Sequence, residues 1–151
     1  MIEVTDGDSE RYRGSLFYDL AKASAIRLAV AQASELAPYG VAAAALTPGF
    51  LRSEAMLDYF GVDEEHWREA VAQDPHFALS ENPAYVGRAA AALATDRDVM
   101  RWNGQALSSW TLAREYGFRD DDGSQPDWGR WFDDVVGAGL DPLAVDASRY
   151  R

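Results

Sequence analysis

Apolar positions recur along this chain in several distinct rhythms, and each rhythm predicts an element. Ile2-Glu3-Val4-Thr5 alternates and is β-branched, which predicts a short strand closed by the turn Asp6-Gly7-Asp8-Ser9. Glu10 to Ser15 reads as a loop, with Ser15 as a helix N-cap. Leu16 to Leu36 is rich in alanine and carries Leu20, Ile26, Leu28 and Val30 on more than one face. That pattern predicts a helix that covers a sheet with one face and packs closely on another helix with the rest. Pro38-Tyr39-Gly40 stops it. Val41 to Leu46 is too apolar to alternate and predicts a strand buried on both faces, as in a parallel sheet, although its four alanines are weak strand formers. Thr47-Pro48-Gly49 then lies at the C-terminal end of that strand, where parallel sheets place ligand sites.

Beyond the loop, Ser53 predicts the cap of a short helix ended by Gly61, and Asp63 the cap of a second over Glu64 to Gln73, with acids in its first turn. Asn82-Pro83 is an N-cap followed by proline at the first helical position. Tyr85, Val86, Ala89, Ala90 and Leu93 give that helix one apolar stripe up to Ala94. Asn103-Gly104 is a turn, Gln105 to Ser109 a short strand, and Trp110 to Tyr116 a further helical turn. Strand, helix, strand, helices, strand is an α/β order, with about three parallel strands and a helical region before the last of them.

Composition narrows the classes. At 151 residues, 48% hydrophobic and 12% aromatic, the chain is about one domain with material for a core. Its net charge of -11 comes from 25 acids against 14 bases, and Lys22 is the only lysine. That balance speaks against nucleic acid and against an anionic membrane surface as partners. There are no cysteines, so thiolate chemistry and disulfides are excluded. The acidic start Met1 to Asp6 is no signal peptide, and no run reaches the roughly 20 apolar residues of a membrane span, so a cytoplasmic protein is the default expectation. His66 and His76 lack metal-ligand spacing and read as ordinary polar residues. Asp120-Asp121-Asp122-Gly123 lacks the alternation of a calcium loop and predicts a solvated turn. No metal site is expected.

Tyr18 and Lys22 stand four apart and share a helix face. An ammonium beside a phenol favours the phenolate, so such a pair can exchange protons near neutrality, although the same spacing also fits an aromatic on the core edge beside a solvated lysine. The surroundings add more. Tyr18-x-x-x-Lys22-Ala23-Ser24, then Ser34-Glu35-Leu36-Ala37-Pro38-x-Gly40-Val41, then Pro48-Gly49-x-x-x-Ser53, resembles the short-chain dehydrogenase/reductase family from about Ile2 to Phe118. The resemblance implies a partial Rossmann-like fold: residues 1–118 as the C-terminal half of such a domain, 119–151 as an extension. It implies Tyr18 as catalytic acid/base, and Lys22 as the residue that lowers its pKa and holds the nicotinamide ribose. Pro48, Gly49, Phe50 and Ser53 would contact the nicotinamide of NAD or NADP. The family's active-site serine has no double-Ser counterpart; Thr5, 13 residues before Tyr18, stands about where it belongs and can donate the same bond, with Asp6 and Ser9 as competing positions. The family also implies a homo-oligomer built on the Leu16–Leu36 helix. Residues 51–77 would form a substrate lid, with Tyr59, Phe60, Trp67 and Phe77 as an apolar wall. Trp128, Trp131 and Phe132 would pack on a neighbouring subunit or border the substrate pocket.

One part of the pattern is missing. The family cradles the cofactor pyrophosphate on a glycine-rich first βα turn, and Gly137-Ala138-Gly139 neither follows a strand nor opens a helix. The resemblance therefore leaves two readings: an oxidoreductase module acting on a carbonyl/alcohol pair, or a non-catalytic fragment that works through oligomerisation or with a partner half.

Overall fold

A computed structural model describes residues 1–9 and 11–151; Glu10, in the loop expected before the long helix, lies outside the described residues. Three parallel strands form one sheet in the order β1 (Ile2–Val4), β2 (Ala44–Thr47) and β3 (Ala106–Ser108). Ile2 pairs with Ala44, and Ala45 with Ala106. The fold is a partial Rossmann-like α/β arrangement, with helices flanking the sheet.

Helix α1 (Leu16–Leu36) crosses between β1 and β2 and lies against both. Its two fully buried residues are Ala29 and Ala33, and β2 is buried along its whole length. Small side chains at this contact let the helix axis approach the sheet closely, which accounts for Ala44 and Ala45 in a strand that propensity disfavours. Ser15 holds an extended cap conformation, but its side chain makes no capping bond; its carbonyl accepts the Asp19 N–H at 2.8 Å. The other sheet face packs Ala44, Leu46 and Leu107 against Ala89 and Leu93 of α3 (Pro83–Thr95) and Leu112 of α4 (Ser109–Tyr116). Asn103 stitches the layers: its amide donates to the Ala33 carbonyl at 3.1 Å and its side-chain oxygen accepts the Ala43 N–H at 2.9 Å.

Between β2 and α3 the chain forms α2 (Glu54–Phe60), capped by Ser53 and closed by Gly61 in the left-handed conformation. The expected helix over Glu64 to Gln73 is instead a 3-10 segment, Trp67–Ala72. Asp63 does cap a turn, accepting the His66 N–H at 2.8 Å. The residues the segment buries are Trp67 and Ala70, three apart, the spacing that stacks on one side of a 3-10 helix. The predicted strand Val41 to Leu46 shifts to Ala44–Thr47, and Gln105 to Ser109 shortens to Ala106–Ser108. Near the C-terminus, α5 (Trp128–Trp131) and the turn after it bring Trp131 and Val135 onto Leu79, and the 3-10 turn Ala147–Tyr150 adds Tyr150.

Asp120 corrects the solvated-turn expectation. Its side chain is 0% exposed and meets Arg52, itself 2% exposed, at 3.3 Å. Arg52 also donates to the Ser80 carbonyl at 2.7 Å and lies over the Trp67 ring. The aromatics expected to wall the substrate are likewise redistributed. Phe60, Trp67 and Phe77 pack on one another as a local core, and Tyr59 faces solvent. Among the described residues no helix is long and apolar enough to cross a membrane.

Candidate active site at the strand ends

Because all three strands run parallel, their C-terminal ends share one edge of the sheet. β1 leads there into Thr5 and Asp6, β2 into Pro48 and Gly49, and the first turns of α1 pass alongside. A cleft of about 650 Å³ opens between them, lined by Thr5, Asp6, Tyr18, Lys22, Pro48, Gly49, Phe50 and Ser53. Thr5, Tyr18, Lys22 and the Pro48, Gly49, Phe50 and Ser53 positions proposed for catalysis and cofactor contact thus border the same space. Of the competing positions, Asp6 does and Ser9 does not. Met56, Asp74 and His76 line its far side, with Trp128 and Phe132 from the C-terminal segment.

The helix register delivers the pair as expected. The Lys22 Nζ sits 5.3 Å from the Tyr18 ring centroid. The Tyr18 hydroxyl, however, points to Asp6 and donates to its Oδ2 at 2.7 Å. Burial first, then this hydrogen bond and the carboxylate's charge, push the phenol up to about 12, with Arg13 pulling the other way. The proton is therefore held on Tyr18 more firmly than on an ordinary phenol. The lowering expected from Lys22 is outweighed by burial and Asp6, so Tyr18 is a weaker acid while its bond to Asp6 stands.

Of the three positions weighed for the third catalytic residue, Asp6 is the one bonded to Tyr18. Thr5 is buried, and its hydroxyl donates to the Lys22 carbonyl at 2.7 Å, tying strand end to helix. Ser9 lines a neighbouring hollow with Asp8 and Arg13. Asp6→Asn is expected to lower the Tyr18 pKa toward the ordinary phenol value of about 10, because the neutral amide removes the repelling charge. Phenolate absorbance titrated in both proteins checks this, and an unchanged tyrosine titration would separate Asp6 from Tyr18.

The loop after β2 is held from behind. Pro48 turns its carbonyl to the Thr47 hydroxyl at 2.9 Å, and Gly49 donates its N–H to Glu81 Oε2 at 3.0 Å. A Cβ on Gly49 would lie 2.8 Å from the Trp128 Cβ, so only glycine passes here without displacing the tryptophan. Phe50 stacks edge-on with Phe77 and Trp128 at 5.0 and 5.6 Å. Ser53 accepts the Met56 N–H as the α2 cap, which leaves its own O–H free to donate.

Sequence reasoning missed Asp74, His76 and Glu81. The first two follow a 3-10 segment that no periodicity announces. His76 Nδ1 lies 3.1 Å from the Trp131 indole nitrogen. Indole only donates, so Nδ1 accepts and the neutral ring carries its proton on Nε2. Trp128 and Phe132 border the cleft, whereas Trp131, expected beside them, is buried with Leu79, Val135 and Tyr150. Among the described residues no group of His, Asp or Glu is arranged to hold a metal.

The comparisons converge on one family. No family model matches the chain. It is 32% identical over 130 residues to human dehydrogenase/reductase SDR family member 1, covering 82% of this chain and 40% of that protein. To the mouse protein of the same name it is 36% identical over 108 residues, 70% of this chain and 34% of the relative. The chain thus spans about 40% of the length of the human relative it matches. A short-chain dehydrogenase from Mycobacterium thermoresistibile superposes with a TM-score of 0.57 at 21% identity, covering 85% of this chain and 43% of that one. A protein of Xanthomonas campestris described as a dehydrogenase gives 0.55 at 24% identity, with 83% and 43% covered. At those identities the two structures speak for the fold.

Proposed function

Since the chain belongs to the short-chain dehydrogenase/reductase family and spans part of its fold, we propose that it is an oxidoreductase module, with hydride passing between NAD(P) and a carbonyl/alcohol substrate. The observation that carries the reading is the single cleft shared by Tyr18, Lys22 and the Pro48–Ser53 loop. Bound there, NADH or NADPH would supply the hydride for reduction, and the oxidised nucleotide would accept it in the reverse direction. The donors present fit its nicotinamide–ribose end: the Lys22 ammonium and the free Ser53 O–H suit ribose hydroxyls, and the backbone of Pro48 to Phe50 suits a carboxamide. They do not fit the pyrophosphate, for which the sequence offers no glycine-rich turn.

Reduction of a carbonyl needs a proton at its oxygen as hydride reaches its carbon. Tyr18 is the donor once its hydroxyl leaves the Asp6 carboxylate, whose bond and charge hold the proton back, and the Lys22 ammonium stabilises the phenolate left behind. The substrate oxygen takes the place of the Asp6 carboxylate as partner of the phenol. For Thr5 to polarise that oxygen, its hydroxyl must first rotate off the Lys22 carbonyl. Phe50, Met56, Trp128 and Phe132 favour an apolar substrate body.

A second reading, association without chemistry, is favoured by the outer face of α1. Phe17 is 82% exposed there, beside exposed Leu16 and Leu20. Such a face suits a second copy of the chain. One experiment separates the readings: titration of the purified chain with NADPH and NADH by nucleotide fluorescence, with sedimentation on the same sample. Saturable binding is the expected result. A folded oligomer that binds neither nucleotide overturns the oxidoreductase reading and leaves the second.

A further inference from the structure

Glu81 is wholly buried and carries no part in the chemistry above. It stands just before Asn82, the cap of α3, behind the loop that lines the cleft. Three consecutive stretches of that loop are fastened to it. Its Oε2 accepts the Gly49 N–H at 3.0 Å, its N–H donates to the Phe50 carbonyl at 2.9 Å, and its carbonyl accepts the Arg52 N–H at 2.8 Å. Leu51 and Glu81 form an isolated parallel bridge between these contacts. The same Oε2 accepts the Ser109 hydroxyl at 2.6 Å, so the carboxyl joins the β2 loop to the start of α4. Oε1 is equally buried and has no partner among the described residues.

This is an unusual use of a carboxyl. Two backbone bonds would suffice to dock the loop, and an apolar side chain would fill the volume without the cost of burying an acid. The part that backbone pairing cannot do is reach Gly49, where the chain leaves β2 and turns into the cleft. We propose that Glu81 is a positioning residue: its carboxyl sets the Gly49 end of the cleft loop, and through it the seat assigned above to the nicotinamide. The inference rests on that assignment for its catalytic meaning, while the link from Glu81 to Gly49 stands on the contacts alone.

The charge on Glu81 matters to the link. Burial is the largest influence and raises its pKa to about 7, with Asp120 pushing the same way. The Ser109 and Gly49 bonds and the Arg52 guanidinium pull it back. Tyr85, from the first turn of α3, is the other titratable group that feels it. As a carboxylate Glu81 accepts from Gly49 strongly; protonated on Oε1 it accepts as a neutral carbonyl, more weakly. The Gly49 anchor is therefore tighter above neutrality than below it.

The test follows the Gly49 amide by NMR in the native chain, in Glu81→Gln and in Glu81→Leu. Gln keeps an acceptor oxygen but cannot ionise; Leu keeps the volume and removes the acceptor. In the native protein the Gly49 amide proton resonance is expected to move with pH through about 7. In Glu81→Gln it stays put, with the chain folded. In Glu81→Leu the amide exchanges with solvent about ten times faster or more, as expected for loss of one charge-assisted bond. NADPH and NADH titrations on the same samples read the consequence: affinity varies with pH in the native chain, is pH-independent in Glu81→Gln, and falls in Glu81→Leu. A Gly49 resonance that titrates identically in Glu81→Gln, or that does not titrate in the native chain, overturns the inference. If no nucleotide binds the native chain, the oxidoreductase reading fails, and the Gly49 resonance still decides the role of Glu81.

Discussion

Replacing Tyr18 by phenylalanine is expected to lower turnover by about 10²- to 10⁴-fold, the range over which a positioned general acid acts. The substitution removes one oxygen and keeps the ring. Tyr18 is 45% exposed, and its hydroxyl bonds to Asp6 in an exposed pair, so the fold loses little. The measurement is NAD(P)H oxidation against a panel of apolar aldehydes and ketones, with far-ultraviolet circular dichroism on both proteins. Nucleotide affinity is expected to survive, because the phenol is assigned to the substrate and not to the ribose. The loss then falls on kcat more than on the nucleotide KM. Equal rates in the two proteins would take Tyr18 out of the chemistry.

The largest effect on stability is expected at Arg52. Its guanidinium is shared among Asp120, Glu64 and the Ser80 carbonyl, and it rests on the Trp67 ring. Arg52→Met keeps much of the volume but strands the Asp120 carboxylate, which is 0% exposed. Breaking a buried pair from one side costs about 3–5 kcal/mol. At about 2–4 °C per kcal/mol for a chain of this size, the melting temperature falls by roughly 10 °C. Adding Asp120→Asn to the same chain is expected to recover a large part of that loss. The amide needs no counter-charge, and its one oxygen can still accept either the Asp121 N–H, now on Oδ1, or the Asn82 N–H, now on Oδ2. A single-variant loss below about 1 kcal/mol would rank the pair with exposed salt bridges. No recovery in the double variant would mean that Arg52 acts through Trp67 and Ser80 instead.

The difference between these two residues shows what could be read from the chain itself. Tyr18 and Lys22 were legible because their relation is local: four residues on a helix whose ends are written at Ser15 and Pro38. The caps Ser53 and Asn82 and the stop at Gly61 are local in the same sense, and the helices they bound appear where expected. Arg52 and Asp120 are 68 residues apart, and Glu81 meets Gly49 and Ser109 across 32 and 28. An acid inside Ser80-Glu81-Asn82, or in a run of three aspartates, carries no local sign that it will be buried. Burial of a charge is decided by the partner that tertiary structure brings to it. The strand boundaries shifted for a related reason: six apolar residues from Val41 do not say which of them will face hydrogen-bonding neighbours, and that depends on β1 and β3.

The alanine contact between α1 and β2 has a further meaning for the cleft. One wall of the cleft belongs to the helix and the other to the loop that β2 feeds, so the contact between them works as a gauge block. Its thickness is a few methyl groups, the smallest spacer that side chains can make. Any larger residue at Ala29, Ala33 or Ala45 would widen the gap between Tyr18 and the loop before it touched either. Met56, Trp128 and Phe132 are mounted on other parts of the molecule. On the oxidoreductase reading proposed above, selection can therefore redraw the outline of the cleft through those three while the spacing of Tyr18 and the loop stays calibrated.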